Sequence, residues 1–134
     1  MGRGQTRMDA DKNILIPDSR RVRFLSFSLS TRLGHLASNL ARIRSCAQTS
    51  AHNATLFAIE ESRYFIEWIV PDLVKEDSRV DDAAFLVDVG RGLTHWYWSW
   101  SDAQNDPAAR TQLVAQAQQW SDEVLAMSGL LDAE

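Results

Sequence analysis

Apolar residues recur every three or four positions along most of this chain, the spacing that lines one face of an α-helix at roughly 100° per residue. After Pro17, Val22, Leu25, Leu29, Leu33, Leu36, Leu40, Ile43 and Ala47 form one continuous stripe, and Asp18 or Ser19 stands where a helix cap belongs. The opposite side of this predicted first helix carries Phe24 and Phe27, followed by the small residues Thr31, Gly34, Ser38, Ala41 and Ser45. That second side asks for cover of its own. Ile14-Leu15-Ile16 can fold back onto the two phenylalanines, or another helix can approach along the small side chains. Gly34 costs a helix interior roughly 1 kcal/mol against alanine, which points to close packing there.

A second helix is predicted from about Asn53 to Val70, where Pro71 removes a donor and disfavours α conformation in the residue before it, so that a break or kink belongs there. Ile59, Ile66, Ile69, Val70 and Leu73 share one face, while Phe57, Tyr64 and Trp68 oppose them and Phe65 lies on the flank. Only a narrow strip, Glu60, Arg63 and Glu67, is clearly polar, at a spacing that suits ion pairs along the helix. The third helix opens at Ser78, with Asp81 three residues on in a capping-box arrangement, and runs through Phe85, Val89 and Leu93 into Thr94-His95-Trp96-Tyr97-Trp98-Ser99-Trp100. Three of the five tryptophans fall in that window. As a helix, Trp96, Tyr97 and Trp100 extend the apolar face and Trp98 points the other way. As a strand, the tryptophans alternate with polar residues. The helical spacing upstream favours the helix, and Gly90-Arg91-Gly92 counts against its continuity. The fourth helix starts at Asp106 and Pro107, places Leu113, Ala117, Trp120, Val124, Met127 and Leu131 on one side, and stops at Gly129. Short connections between the four elements predict an all-α fold, an antiparallel up-down-up-down four-helix bundle over residues 18–134, preceded by a flexible N-terminal tail over residues 1–17.

With 134 residues, 45% of them hydrophobic, the chain supports one domain with a real core, and its three prolines and six glycines are too few for a turn-rich β-sandwich. No apolar run approaches the roughly 18 residues of a membrane span, and no apolar signal-peptide core stands near the N-terminus, so a cytoplasmic protein without a membrane partner is expected. Met1-Gly-Arg-Gly-Gln-Thr6 fits the loose pattern for myristoylation, although Met8 opens a more ordinary start. Charge is uneven. Residues 1–47 carry nine Lys and Arg against three Asp, a formal +6, while the rest carries five basic and fifteen acidic side chains, a formal −10. This asymmetry predicts pairing within the fold or between subunits. Nucleic acid is not an expected partner, because the arginines scatter around the first helix and the whole chain is acidic.

The spacings that carry chemistry are missing. The residues three before His35, His52 and His95 are Arg32, Thr49 and Gly92, so no Glu-x-x-His pair of a di-iron bundle exists. Neither phosphate-loop nor nucleophile-elbow motifs occur, and the lone Cys46 reads as a packing thiol. Nothing here commits the chain to enzyme chemistry, and no catalytic residue, metal or cofactor is assigned. Glu61, on the Phe57, Tyr64, Trp68 face, needs a cationic partner from the first helix or from another subunit.

The strings Glu61-Ser-Arg-Tyr-Phe-Ile-Glu-Trp-Ile-Val-Pro-Asp72 and Trp120-Ser-Asp-Glu-Val-Leu-Ala-Met-Ser-Gly-Leu-Leu131 resemble those of small all-helical proteins of unknown function from cyanobacteria. The resemblance covers most of the chain after Val22 and implies a helical cytosolic protein, with no activity or site residues attached.

The apolar faces exceed what a bundle of this length buries. The leading expectation is therefore a non-catalytic module that self-associates as a homodimer or larger homo-oligomer, or binds another protein, through Phe24, Phe27, Phe57, Glu61, Tyr64, Trp68 and Trp98. The alternative is a bundle that holds a flat apolar ligand, pigment-like or tetrapyrrole-like, in a pocket of Trp68, His95, Trp96, Tyr97, Trp100 and Trp120.

Overall fold

The computed structural model describes residues 16–49 and 51–133, and among these the chain is helical, with no strand. Five α-helices are present among the described residues: α1 Asp18–Leu25, α2 Leu29–Gln48, α3 His52–Leu73, α4 Val80–Ala103 and α5 Pro107–Ser128. Short 3-10 turns occupy Asp77–Arg79 and Leu130–Ala133. Most of the expected N-terminal tail, with its myristoylation-like pattern and the fold-back of Ile14 and Leu15, lies outside the described residues.

The all-helical expectation holds, but the first predicted helix is two. Ser28 takes an extended conformation (φ −61°, ψ 158°) and its hydroxyl accepts the Thr31 N–H at 3.2 Å, starting α2 afresh. The Ser26 hydroxyl donates to the Arg23 carbonyl at 2.5 Å and closes α1. Serine side chains compete with the helical backbone for its own groups, and two of them flanking Phe27 outweigh the apolar stripe. Val22 consequently leaves that stripe and is 66% exposed. Neither Asp18 nor Ser19 caps α1. Pro17 occupies the cap position, and its carbonyl accepts from Arg20 N–H at 2.9 Å.

The core is built on α2, whose Leu33, Leu36, Leu40 and Ile43 are fully buried between α3 on one side and α5 on the other. Arg32 meets Asp72 while Asn39 meets Ser62, so α2 and α3 run in opposite senses along their contact. Beyond α3 lies α4. The seam between α4 and α5 is wider and is filled by large rings: Trp96 donates its indole N–H to Gln116 at 2.6 Å, and Trp120 packs over Gly92. A Cβ at Gly92 would lie 2.7 Å from two Trp120 ring atoms, and one at Gly34 would lie 2.7 Å from Leu130 Cδ1. Close packing therefore explains both glycines, as expected at Gly34.

Other details depart from the sequence pattern. Pro71 does not end α3. It stands in the last turn, where the carbonyl it leaves unbonded belongs to exposed Glu67, and the helix continues to Leu73. Ser78 caps nothing, because α4 begins only at Val80 after the 3-10 turn. Arg79 ties that end down instead, donating to Asp82 at 2.9 Å and to the Met127 carbonyl of α5 at 2.7 Å. Helix α4 runs unbroken through Gly90 and Gly92 to Ala103, which removes the strand reading of the tryptophan window. Asp106 caps α5 by accepting Ala108 N–H at 3.0 Å, and Gly129 leaves it in a left-handed conformation (φ 79°), as the sequence predicts. Leu131 is exposed, outside the α5 stripe.

Candidate functional site

Glu61 is the chemically demanding residue of this fold. Its side chain is 3% exposed on α3, where an unpaired carboxylate would cost several kcal/mol. Arg20 of α1 donates Nη2 to its Oε2, and Arg42 of α2 stands 3.8 Å from its Oε1. The partner that the sequence requires thus comes from the same chain, and the basic N-terminal part meets the acidic remainder inside the fold.

Side chains hold α1 over α2 and α3. Phe24 is buried, stacked on Phe65 at 4.3 Å between ring centroids and tilted against Trp68 at 5.5 Å. The α1–α2 corner is fixed by Arg32, itself only 7% exposed, which donates Nε to the Phe27 carbonyl at 3.1 Å and Nη1 to Asp72 at 2.8 Å. Asp72 also accepts from Lys75 at 3.1 Å. The hydrogen bond from Arg32, followed by that from Lys75, holds the Asp72 carboxyl below its ordinary value.

A two-lobed cleft lies beneath α1. One lobe, of about 240 Å³, is lined by Arg20, Arg23, Phe24, Phe27, His35 and Phe65. The other, of about 160 Å³, shares Arg20, His35 and Phe65 and adds Ser38, Asn39, Arg42 and Glu61. Buried Asn39 is spent on structure, its amide donating to the Ala58 carbonyl at 3.3 Å and to Ser62 Oγ at 3.1 Å. Ser38, His35 and Glu61 are the residue types of a hydrolase triad. Among the described residues, however, no hydrogen bond links any two of them, and the carboxylate that would orient the imidazole is held by Arg20. No cluster of three metal-ligating side chains occurs among the described residues.

A larger groove of about 510 Å³ runs between α3 and α4, floored by Ile66, Val70, Pro71, Val87, Gly90 and Thr94 and rimmed by Arg63, Glu67 and Arg91. Val87, Arg91 and Thr94 fall on one stripe of α4, and the next position on that stripe is Trp98, 62% exposed. Its ring meets Tyr97 edge-on at 5.1 Å, and Arg63 lies over the Tyr97 face at 5.3 Å. No protein family, curated protein or solved structure matches this chain.

Of the expected interface residues, Phe24 and Trp68 cover one another within the chain, Tyr64 packs on Trp68 at 5.7 Å, and Glu61 and Phe27 belong to the cleft. Phe57 and Trp98 remain exposed. The six expected pocket residues are divided among separate places. Trp96, Trp100 and Trp120 fill the core, Trp68 lies under α1, Tyr97 borders Trp98, and exposed His95 sits edge-on to Trp96 at 5.7 Å. Sequence reasoning missed Arg20, Arg23, His35 and Arg42 as a group. The signal available was the excess of arginine in the first predicted helix, whose break at Ser26–Ser28 brings Arg20 and Arg23 back over α2.

Proposed function

We propose that this chain is a cytoplasmic, self-associating helical module without catalytic activity of its own, in which the four long helices form an up-down-up-down bundle and the α3–α4 face meets a second copy. The observation that carries this reading is the exposed Trp98 beside an apolar groove on a face that packing among the described residues leaves uncovered. A large aromatic next to such a groove is the anchor-and-pocket pair that dominates protein interfaces. The charges around it point to a copy of the same chain. Arg63 and Arg91 stand with Glu67 and Asp88, both signs on one face, and an interface between identical subunits about a two-fold axis needs that self-complementarity. A lone thiol is in keeping with a reducing compartment.

Light scattering at about 100 μM protein tests the reading, with a dimer or larger closed oligomer expected. Trp98→Ala should weaken association by about 2 kcal/mol, roughly thirtyfold, without loss of helicity, since the ring lies outside the core. A compact wild-type monomer at that concentration refutes it.

A further inference from the structure

The positive surplus of the cleft beneath α1 is explained neither by packing nor by self-association. Arg20, Arg23 and Arg42 line its two lobes and Glu61 is the single carboxylate among the lining residues, in a protein of formal charge −4. Both oxygens of Glu61 already face arginine, so its charge is offset and the cleft stays net positive. The Arg23 guanidinium has neither an ion pair nor a hydrogen bond among the described residues. Arg20 has further N–H groups beyond the one given to Glu61. The remaining wall is aromatic: the His35 ring lies 5.1 Å from that of Phe27 and 6.3 Å from that of Phe24, with Phe65 stacked behind.

We propose that this cleft binds a small organic anion built on a single ring, its carboxylate or phosphate held by Arg23 and Arg20 and its ring lodged among Phe24, Phe27 and His35. The planar guanidinium presents paired N–H donors that match two oxygens of a carboxylate or of a phosphate, and an apolar ring gains by leaving water for the phenylalanines. A single ring suits the larger lobe, whose volume of about 240 Å³ falls below the roughly 300 to 1,000 Å³ of sites for drug-sized molecules.

Titration of the ¹⁵N-labelled full chain with benzoate, phenyl phosphate, benzylamine and inorganic phosphate, each followed in amide correlation spectra, tests this. Benzoate or phenyl phosphate should shift the amides of Arg23, Phe27, His35 and Phe65 with a dissociation constant of about 1 mM or tighter, and whichever binds more tightly identifies the anionic group. Arg23→Gln removes an exposed side chain and should weaken that ligand roughly tenfold while the rest of the spectrum stays in place. The proposal is overturned if benzylamine binds as well as benzoate, or if inorganic phosphate matches phenyl phosphate, in which case the ring contributes nothing. It is equally overturned by shifts confined to Ile66, Val87 and Thr94, or by an affinity that Arg23→Gln leaves unchanged.

Discussion

Gly90 and Gly92 lie two residues apart in the interior of the same helix, yet alanine should act on them with opposite signs. In a helix interior, alanine is favoured over glycine by about 0.8 to 1 kcal/mol from backbone entropy alone. At Gly90 the new methyl would meet nothing closer than Ile66 Cγ2 at 3.8 Å, an ordinary contact. Gly90→Ala should therefore raise stability by roughly 0.5 to 1 kcal/mol. At Gly92 the methyl would stand 2.7 Å from both Cη2 and Cζ2 of Trp120, a buried ring with core neighbours around it. Relieving that contact means moving the ring by several tenths of an ångström, and overpacking of this kind costs roughly 1 to 3 kcal/mol. Set against the same entropic gain, Gly92→Ala should lower stability by up to about 2 kcal/mol. Urea titration followed by far-ultraviolet circular dichroism measures both, and for a chain of this length each kcal/mol moves Tm by roughly 3 to 5 °C. A double-mutant cycle with Trp120→Phe, which removes the two clashing atoms, should recover most of the Gly92→Ala loss. If Gly92→Ala stabilises as much as Gly90→Ala does, the Trp120 ring does not rest on Gly92, and the account of the α4–α5 seam is wrong.

Trp120→Ala should itself cost roughly 3 to 5 kcal/mol in the same titration, the range for truncating a buried large aromatic, and a loss below about 1 kcal/mol would remove Trp120 from the core. Asp72→Asn should lower stability near neutral pH by roughly 1 kcal/mol, small because Asp72 is one-third exposed to screening solvent. Because the folded carboxyl titrates below its ordinary 3.8, its contribution is present above that pH and is lost as pH falls through the folded value. The gap between wild type and variant, measured in urea from about pH 3 to 7, should therefore narrow only below about pH 4, and an equal gap at pH 3 contradicts the Arg32 pairing.

The parts of the fold legible in the sequence are those set by local chemistry. Asp106-Pro107 and Gly129 mark the ends of α5 because a cap side chain, a missing N–H and a left-handed carbonyl turn act within a few residues. The burial of Trp96 and Trp100 with Trp98 outside follows from helical geometry alone. The break between α1 and α2 was hidden because the apolar stripe runs straight across it. Ser28-x-x-Thr31 carried the signal, but serine is also tolerated within helices, so periodicity prevailed. The cleft was illegible for a related reason. Arg20, His35, Arg42 and Glu61 are scattered along the chain, and only the reversal at Phe27 and the seam between α2 and α3 bring them together. The need of Glu61 for a cation could be read from its aromatic surroundings, whereas the identity of that cation depends on tertiary structure.

That reversal also accounts for the unusual breadth of the apolar surface on α3. A helix at the rim of a bundle needs one buried stripe, but α3 is flanked by α2, by α4 and, across Phe65 and Trp68, by α1. The opposed isoleucine and aromatic faces are therefore largely satisfied within one chain, and the aromatic face alone is no argument for a partner. What remains uncovered lies on another side of α3, where Ile66 and Val70 meet Val87 and the Trp98 stripe of α4. Cleft and groove thus draw on different faces of the same helix, with Glu61 and Phe65 serving one and Arg63, Ile66 and Glu67 the other. Substitutions such as Arg23→Gln and Trp98→Ala share no contact, so their effects on anion binding and on assembly should be separable. If Arg23→Gln altered the oligomeric state as strongly as Trp98→Ala, the second copy would have to sit across α1, and the α3–α4 groove would lose its claim to be the interface.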